Sequence, residues 1–206
     1  WALEELGVPY EIKRYERDKK TNLAPASLKA VHPLGKSPVI TDDGVTVAES
    51  GAIIEYLIKK YGNGNYTVSP DAAEHLDYVY WMHFAEGSLM PPLLLKLVFD
   101  KVRTSPMPFF AKPIAKTISK KVMSSFVGPS IKGNMDFIEN YLADHKWFAG
   151  DQLTGADFQM SFPLEASVAS GLIDNQRPNI VAYVKRIHER PAYQKALKAG
   201  GPYDYA

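Results

Sequence analysis

The chain has 206 residues, 46% of them apolar and 12% aromatic, enough for packed cores in one large domain or two small ones. Its formal net charge is +1, so no bulk field draws it to nucleic acid or to an anionic membrane, and no apolar run reaches the roughly 18 to 20 residues of a membrane span. It has no cysteine, which excludes disulfides, thiolate metal sites and a cysteine nucleophile from these residues. The composition fits a reducing, cytoplasmic setting. The five histidines, His32, His75, His83, His145 and His188, show no metal-ligand spacing, so no metal is expected.

In chain order, "WALEELG" reads as the end of an amphipathic helix that Gly7 stops and Pro9 keeps from resuming. "YEIKRY" alternates as a half-buried strand, and "APASLKAV" reads as a short helix before the turn "HPLGK". "PVITDDGVTVAE" is a hairpin with an Asp-Gly turn, and a helix is expected from about Ser50 to Tyr61. The Gly, Asn, Ser and Pro of "GNGNYTVSP" make residues 62–70 a linker, dividing the chain into domains 1–61 and 71–206.

From Asp71 onward the period is helical. Leu76, Tyr80, His83, Phe84 and Gly87 lie on or near one stripe of the first helix, which Pro91 and Pro92 are expected to kink or end. Tyr80, His83, Phe84, Met90 and Leu94 suit either an apolar ligand pocket or plain core, and core explains most of them without a ligand. Pro106, Pro108 and Pro113 mark a loop before a helix that runs to about Ala143. Lys112, Lys116 and Lys120 step by four along it, as a solvated face does. "LTGADFQMSFPLEASVAS" opens another helix with Pro163 inside it, Thr154 as its cap and Asp157 reaching back to Thr154. Two short helices split at Pro191 close the chain.

Two places do not read as ordinary structure. Pro38 stands directly before the apolar pair Val39 and Ile40, where a strand begins with a residue that cannot donate to its ladder. A trans proline opening an edge strand explains it, and so does a cis proline with a purpose. Glu49 and Ser50 stand where strand hands over to helix. Ordinary capping accounts for them. So does a ligand with two charges, its carboxylate on the helix N-terminus and the Ser50 hydroxyl, its ammonium on Glu49.

The element order of the first 61 residues, the all-helical remainder, and the motifs "HPLGKSPVI", "AESGAIIEYL" and "FAGDQLTGADFQMSFP" together resemble the glutathione S-transferases. The likeness covers essentially the whole chain, and "GGPYDYA" is similar to the bacterial and fungal branch. The resemblance implies an α/β thioredoxin-like N-terminal domain followed by an all-α C-terminal domain. It implies a cis Pro38 that turns the backbone of Ser37 toward a peptide ligand, Glu49 and Ser50 on the γ-glutamyl end of glutathione, and Lys36 and His32 near its glycyl end. It also implies a homodimer and a hydrophobic electrophile or hydroperoxide as second substrate. The reaction would run through the glutathione thiolate, which hydrogen bonds favour over a thiol of pKa near about 8.5. The thiol-activating residue and one central strand are expected upstream of Trp1, in roughly 10 to 20 further residues. The alternative is a transferase-like protein that binds without turnover.

Overall fold

The computed structural model describes residues 1–21, 23–173 and 176–205. The first part holds α1 (Ala2–Leu6), α2 (Ala26–Val31), β1 (Val39–Asp42), β2 (Val45–Ala48) and α3 (Ser50–Tyr61). The second is helical: α4 (His75–Phe84), α5 (Met90–Thr104), α6 (Ala111–Val122), α7 (Gly128–Asp144), α8 (Gly155–Ala169), α9 (Pro178–His188) and α10 (Pro191–Gly200). Gly7 ends α1 in the left-handed conformation (φ 65°). β1 and β2 pair antiparallel, with Val39 opposite Ala48 and Asp42 opposite Val45. Asp43 and Gly44 between them both have positive φ, as the tight turn that matches strand twist requires.

"YEIKRY" is not a strand. β1 and β2 are the only strands among the described residues, so residues 10–15 have no ladder to join; Ile12 is half exposed, and Arg14 instead donates to the carbonyl of Gly200.

The helical half departs from the sequence reading at its prolines. A π-helical turn, Ala85–Leu89, joins α4 to α5, so the helix runs on through Pro91 and Pro92; a second, Met123–Val127, joins α6 to α7 just before Pro129. A proline nitrogen offers no N–H to the carbonyl four residues back, and for Pro91 and Pro129 that residue, Gly87 or Ser125, lies in the π-helical turn. Pro113 lies in the first turn of α6 rather than in the loop, where its missing N–H costs nothing. The expected stripe on α4 holds at Phe84, which is buried, but is otherwise corrected: Leu76 is 77% exposed and Tyr80 46%, His83 and Gly87 are exposed, and Tyr78, Trp81, Met82, Ala85 and Leu89 are buried. Apolar residues lie nearly all round this helix, so periodicity could not choose the phase. The extra residue of the π turn then sends Leu94 to solvent.

The core gathers around Trp81, whose ring lies 4.6 Å from Phe148 and 4.8 Å from Tyr141, centroid to centroid. Ile54 and Ile58 of α3 belong to the same core, so the two parts share it. A second tie joins the chain's extremes: Arg190, before α10, makes a bidentate pair with Glu5 of α1 (Nη2 to Oε2 2.8 Å), whose side chain is 6% exposed. Burial alone would raise the Glu5 carboxyl, but bonds from Arg190 and Trp1 hold it below the usual glutamate range. That stabilisation is present above the ordinary glutamate pKa and is lost as pH falls through the lowered one. Glu5→Gln should therefore cost about 1–3 kcal/mol at pH 7 in urea denaturation, with a smaller deficit in acid.

Candidate functional site

The hairpin register fixes the geometry. Val39 pairs with Ala48 at the open end of the ladder, where Pro38 precedes the one strand and Glu49 and Ser50 follow the other. The Ser37–Pro38 peptide is cis, and no backbone hydrogen bond of Ser37 occurs among the described residues. Asp42, at the other end, accepts from Tyr56, Lys60 and Tyr61 of α3, which anchors the hairpin on that helix. Lys36 is exposed and makes no ion pair among the described residues. His32 ends α2, its carbonyl taking the Gly35 N–H at 2.8 Å, and its Nδ1 is buried without a partner.

The start of α3 shows the local setting of Glu49 and Ser50. Glu49 occupies the N-cap position, yet no side chain caps the helix. The first helical bond runs from Ile53 N–H to the Glu49 carbonyl, which leaves the N–H groups of Ser50, Gly51 and Ala52 without intrahelical acceptors. Glu49 also holds φ 72° and ψ 125°, a backbone state that costs a non-glycine residue of order 1–3 kcal/mol. The helix presents open N–H groups and a partial positive charge, with one carboxylate held beside them.

Two residues of the helical half complete the group. Gln159 of α8, 4% exposed, donates from Nε2 to Ser50 Oγ at 2.9 Å, and the same nitrogen lies 3.5 Å from Glu86 Oε1. Glu86 sits on the first π-helical turn. Although exposed as a residue, its carboxyl is held above the usual range, first by partial burial and then by the charge of Glu49. Sequence reading missed both. Gln159 lies inside "LTGADFQ", a motif whose capping role hides it. Thr154 and Asp157 do form that box, and Asp157 also accepts from the Phe148 N–H and the Tyr183 hydroxyl. The only advance signal for Glu86 was a carboxylate ahead of a double proline.

Residues 1–59 match the family described as Glutathione S-transferase, N-terminal domain, and residues 120–191 the family described as Glutathione S-transferase, C-terminal domain. Glutathione S-transferase 3 of Schizosaccharomyces pombe is 41% identical over 198 residues, covering 96% of this chain and 81% of that protein. The chain belongs to the glutathione S-transferase family. Its fold is the transferase fold, a thioredoxin-like N-terminal domain and a helical C-terminal domain. A crystal structure of a glutathione S-transferase from Actinobacillus pleuropneumoniae matches the transferase with a TM-score of 0.77 and 33% identity, over 98% of this chain and 86% of that one. A glutathione transferase from Phanerochaete chrysosporium, solved with oxidized glutathione, matches with a TM-score of 0.72 and 27% identity, over 96% and 87%.

Two concavities lie away from the start of α3. One of about 680 Å³ between α8 and α9 is lined by Val168, Val184 and His188. Another of about 280 Å³ lies between Trp1 and Tyr203 over Glu165, already engaged by His188 and Tyr203. Neither offers an unpaired helix N-terminus. Among the described residues no group of histidines and carboxylates is disposed to hold a metal, and no helix is long and apolar enough to cross a membrane.

Proposed function

We propose that this transferase binds glutathione at the N-terminus of α3 and presents its sulfur to an apolar electrophile or a hydroperoxide. The observation that carries this reading is the uncapped start of α3, with Ser50 at its first position and Glu49 held in strain beside it. The γ-glutamyl carboxylate accepts from the Ser50 N–H and hydroxyl, and its ammonium donates to Glu49. The cysteinyl backbone pairs with the free N–H and C=O of Ser37 ahead of Pro38, as an added strand would. Lys36, one residue earlier, serves the glycyl carboxylate, and His32 lines that end. This division gives each charge of the tripeptide an opposite partner. The domain division at residues 62–70 belongs to the same reading. So does an electrophile site over Leu94 and Met90, beyond the π-helical turn.

We extend the reading to a cytoplasmic protein and to a homodimer, the latter because Tyr80 of α4 and Phe137 of α7, 6.0 Å apart, are exposed apolar side chains, as are Leu76 and Val79 of α4. The test is retention on immobilised glutathione, coupled to conjugation of a chlorinated nitrobenzene. Retention with turnover supports the transferase. Retention without turnover makes the chain a binding protein, and absence of both removes the reading.

A further inference from the structure

Gln159 reaches from α8 to the ligand end of α3, and its hydrogen bonds define what it does there. Its side-chain nitrogen faces two oxygens, Ser50 Oγ at 2.9 Å and Glu86 Oε1 at 3.5 Å. An amide nitrogen only donates, and both contacts are made by that nitrogen. The Ser50 oxygen is then an acceptor, and its own proton stays free. Meanwhile Gln159 Oε1 is buried without a partner. A glutamine placed only to fill the interface would be expected to satisfy both ends.

We infer that Gln159 is a positioning residue for glutathione: by occupying an acceptor lone pair of Ser50 Oγ, it turns the hydroxyl proton toward the head-group carboxylate at the start of α3. This rests on the glutathione reading above. The reach depends on close packing of α8 against α3, since a Cβ at Gly155 would lie 2.9 Å from Ile58 Cδ1 and 3.2 Å from Ile54 Cγ2. The capping box holds the same first turn of α8 rigid. A donor from the helical half thus sets the orientation of a hydroxyl in the first half, and the ligand site is complete only when the two are docked.

The test is a double-mutant cycle on the full 206-residue chain, read by calorimetric titration with reduced glutathione and by thermal melting. Ser50→Ala should weaken binding roughly 10- to 150-fold, the range of a charge-assisted hydrogen bond. Gln159→Met should weaken it about 3- to 10-fold with an unchanged melting temperature, because replacing a half-satisfied amide by an apolar group of similar shape is close to neutral for folding. In the Ser50→Ala background, Gln159→Met should have no further effect. Gln159→Glu should bind more weakly than Gln159→Met, because the hydroxyl then donates to the new carboxylate. Equal losses in both backgrounds would reduce Gln159 to packing and overturn the inference while leaving the site intact. Wild-type affinity in Ser50→Ala would instead remove the head-group site itself.

Discussion

Asp157→Ala is expected to lower stability by about 3–5 kcal/mol in urea denaturation, a large share of the roughly 5–15 kcal/mol of a typical folded protein. The residue is fully buried and accepts four hydrogen bonds. Thr154 donates from its N–H at 2.8 Å and its hydroxyl at 3.2 Å, the Phe148 N–H at 3.0 Å and the Tyr183 hydroxyl at 3.0 Å. Truncation leaves the donors without acceptors where water cannot reach, at about 1–3 kcal/mol for each unsatisfied group, partly relieved by relaxation. It also removes half of the capping box, worth about 1 kcal/mol.

The same carboxyl gives a dependence on pH. Burial pushes Asp157 up to about 6, against the lowering effect of the donors around it. A folded-state value above the unfolded one means that the folded protein binds the proton more readily between the two. Its contribution is full below the unfolded value near 4 and is lost as pH rises through about 6. Asp157→Asn has no such titration. The stability margin of the natural residue over Asp157→Asn should thus be about 1 kcal/mol larger at pH 5 than at pH 7.5, measured by denaturation at both.

Glu49→Gln should weaken glutathione binding roughly 10- to 150-fold without loss of fold, because the ammonium loses a charged acceptor. Glu49→Gly should bind as poorly and yet melt no lower than the natural protein. The acceptor is gone, but so is the penalty of holding a side chain at φ 72° and ψ 125°, which offsets the entropy a glycine loses on folding. A position kept for packing would behave in the opposite way. Titration and melting of the two variants separate a ligand contact from a structural one, and a large fall in melting temperature for Glu49→Gly would return Glu49 to the structural class.

The hairpin and α3 were legible because their signals are local. Asp43 and Gly44 take the positive φ that their residue types favour, and the apolar pattern of "AIIEYL" meets a clear end at Gly62. The capping box was legible for the same reason. What escaped was set by distant partners. "YEIKRY" alternates as a strand does, but alternation supplies no ladder, and among the described residues no strand lies beside it. The α4 stripe was right at Phe84 and misphased elsewhere because Tyr80 and Trp81 are both aromatic, and the packing of Phe148 and Tyr141 selects Trp81 for the core. At the site, Glu49 and Ser50 were visible as a polar pair between apolar elements. Gln159 lies 109 residues from Ser50 in a motif with another use, so only the docked structure brings it there.

A crystal structure of the chain with reduced glutathione tests the central claim most directly. The γ-glutamyl carboxylate should lie within about 2.7–3.1 Å of the Ser50 N–H nitrogen and Oγ, with the ammonium on Glu49 and the cysteinyl backbone paired to Ser37. Glutathione bound in the groove between α8 and α9, or anywhere that leaves Ser50 and the start of α3 in contact only with water, would contradict it.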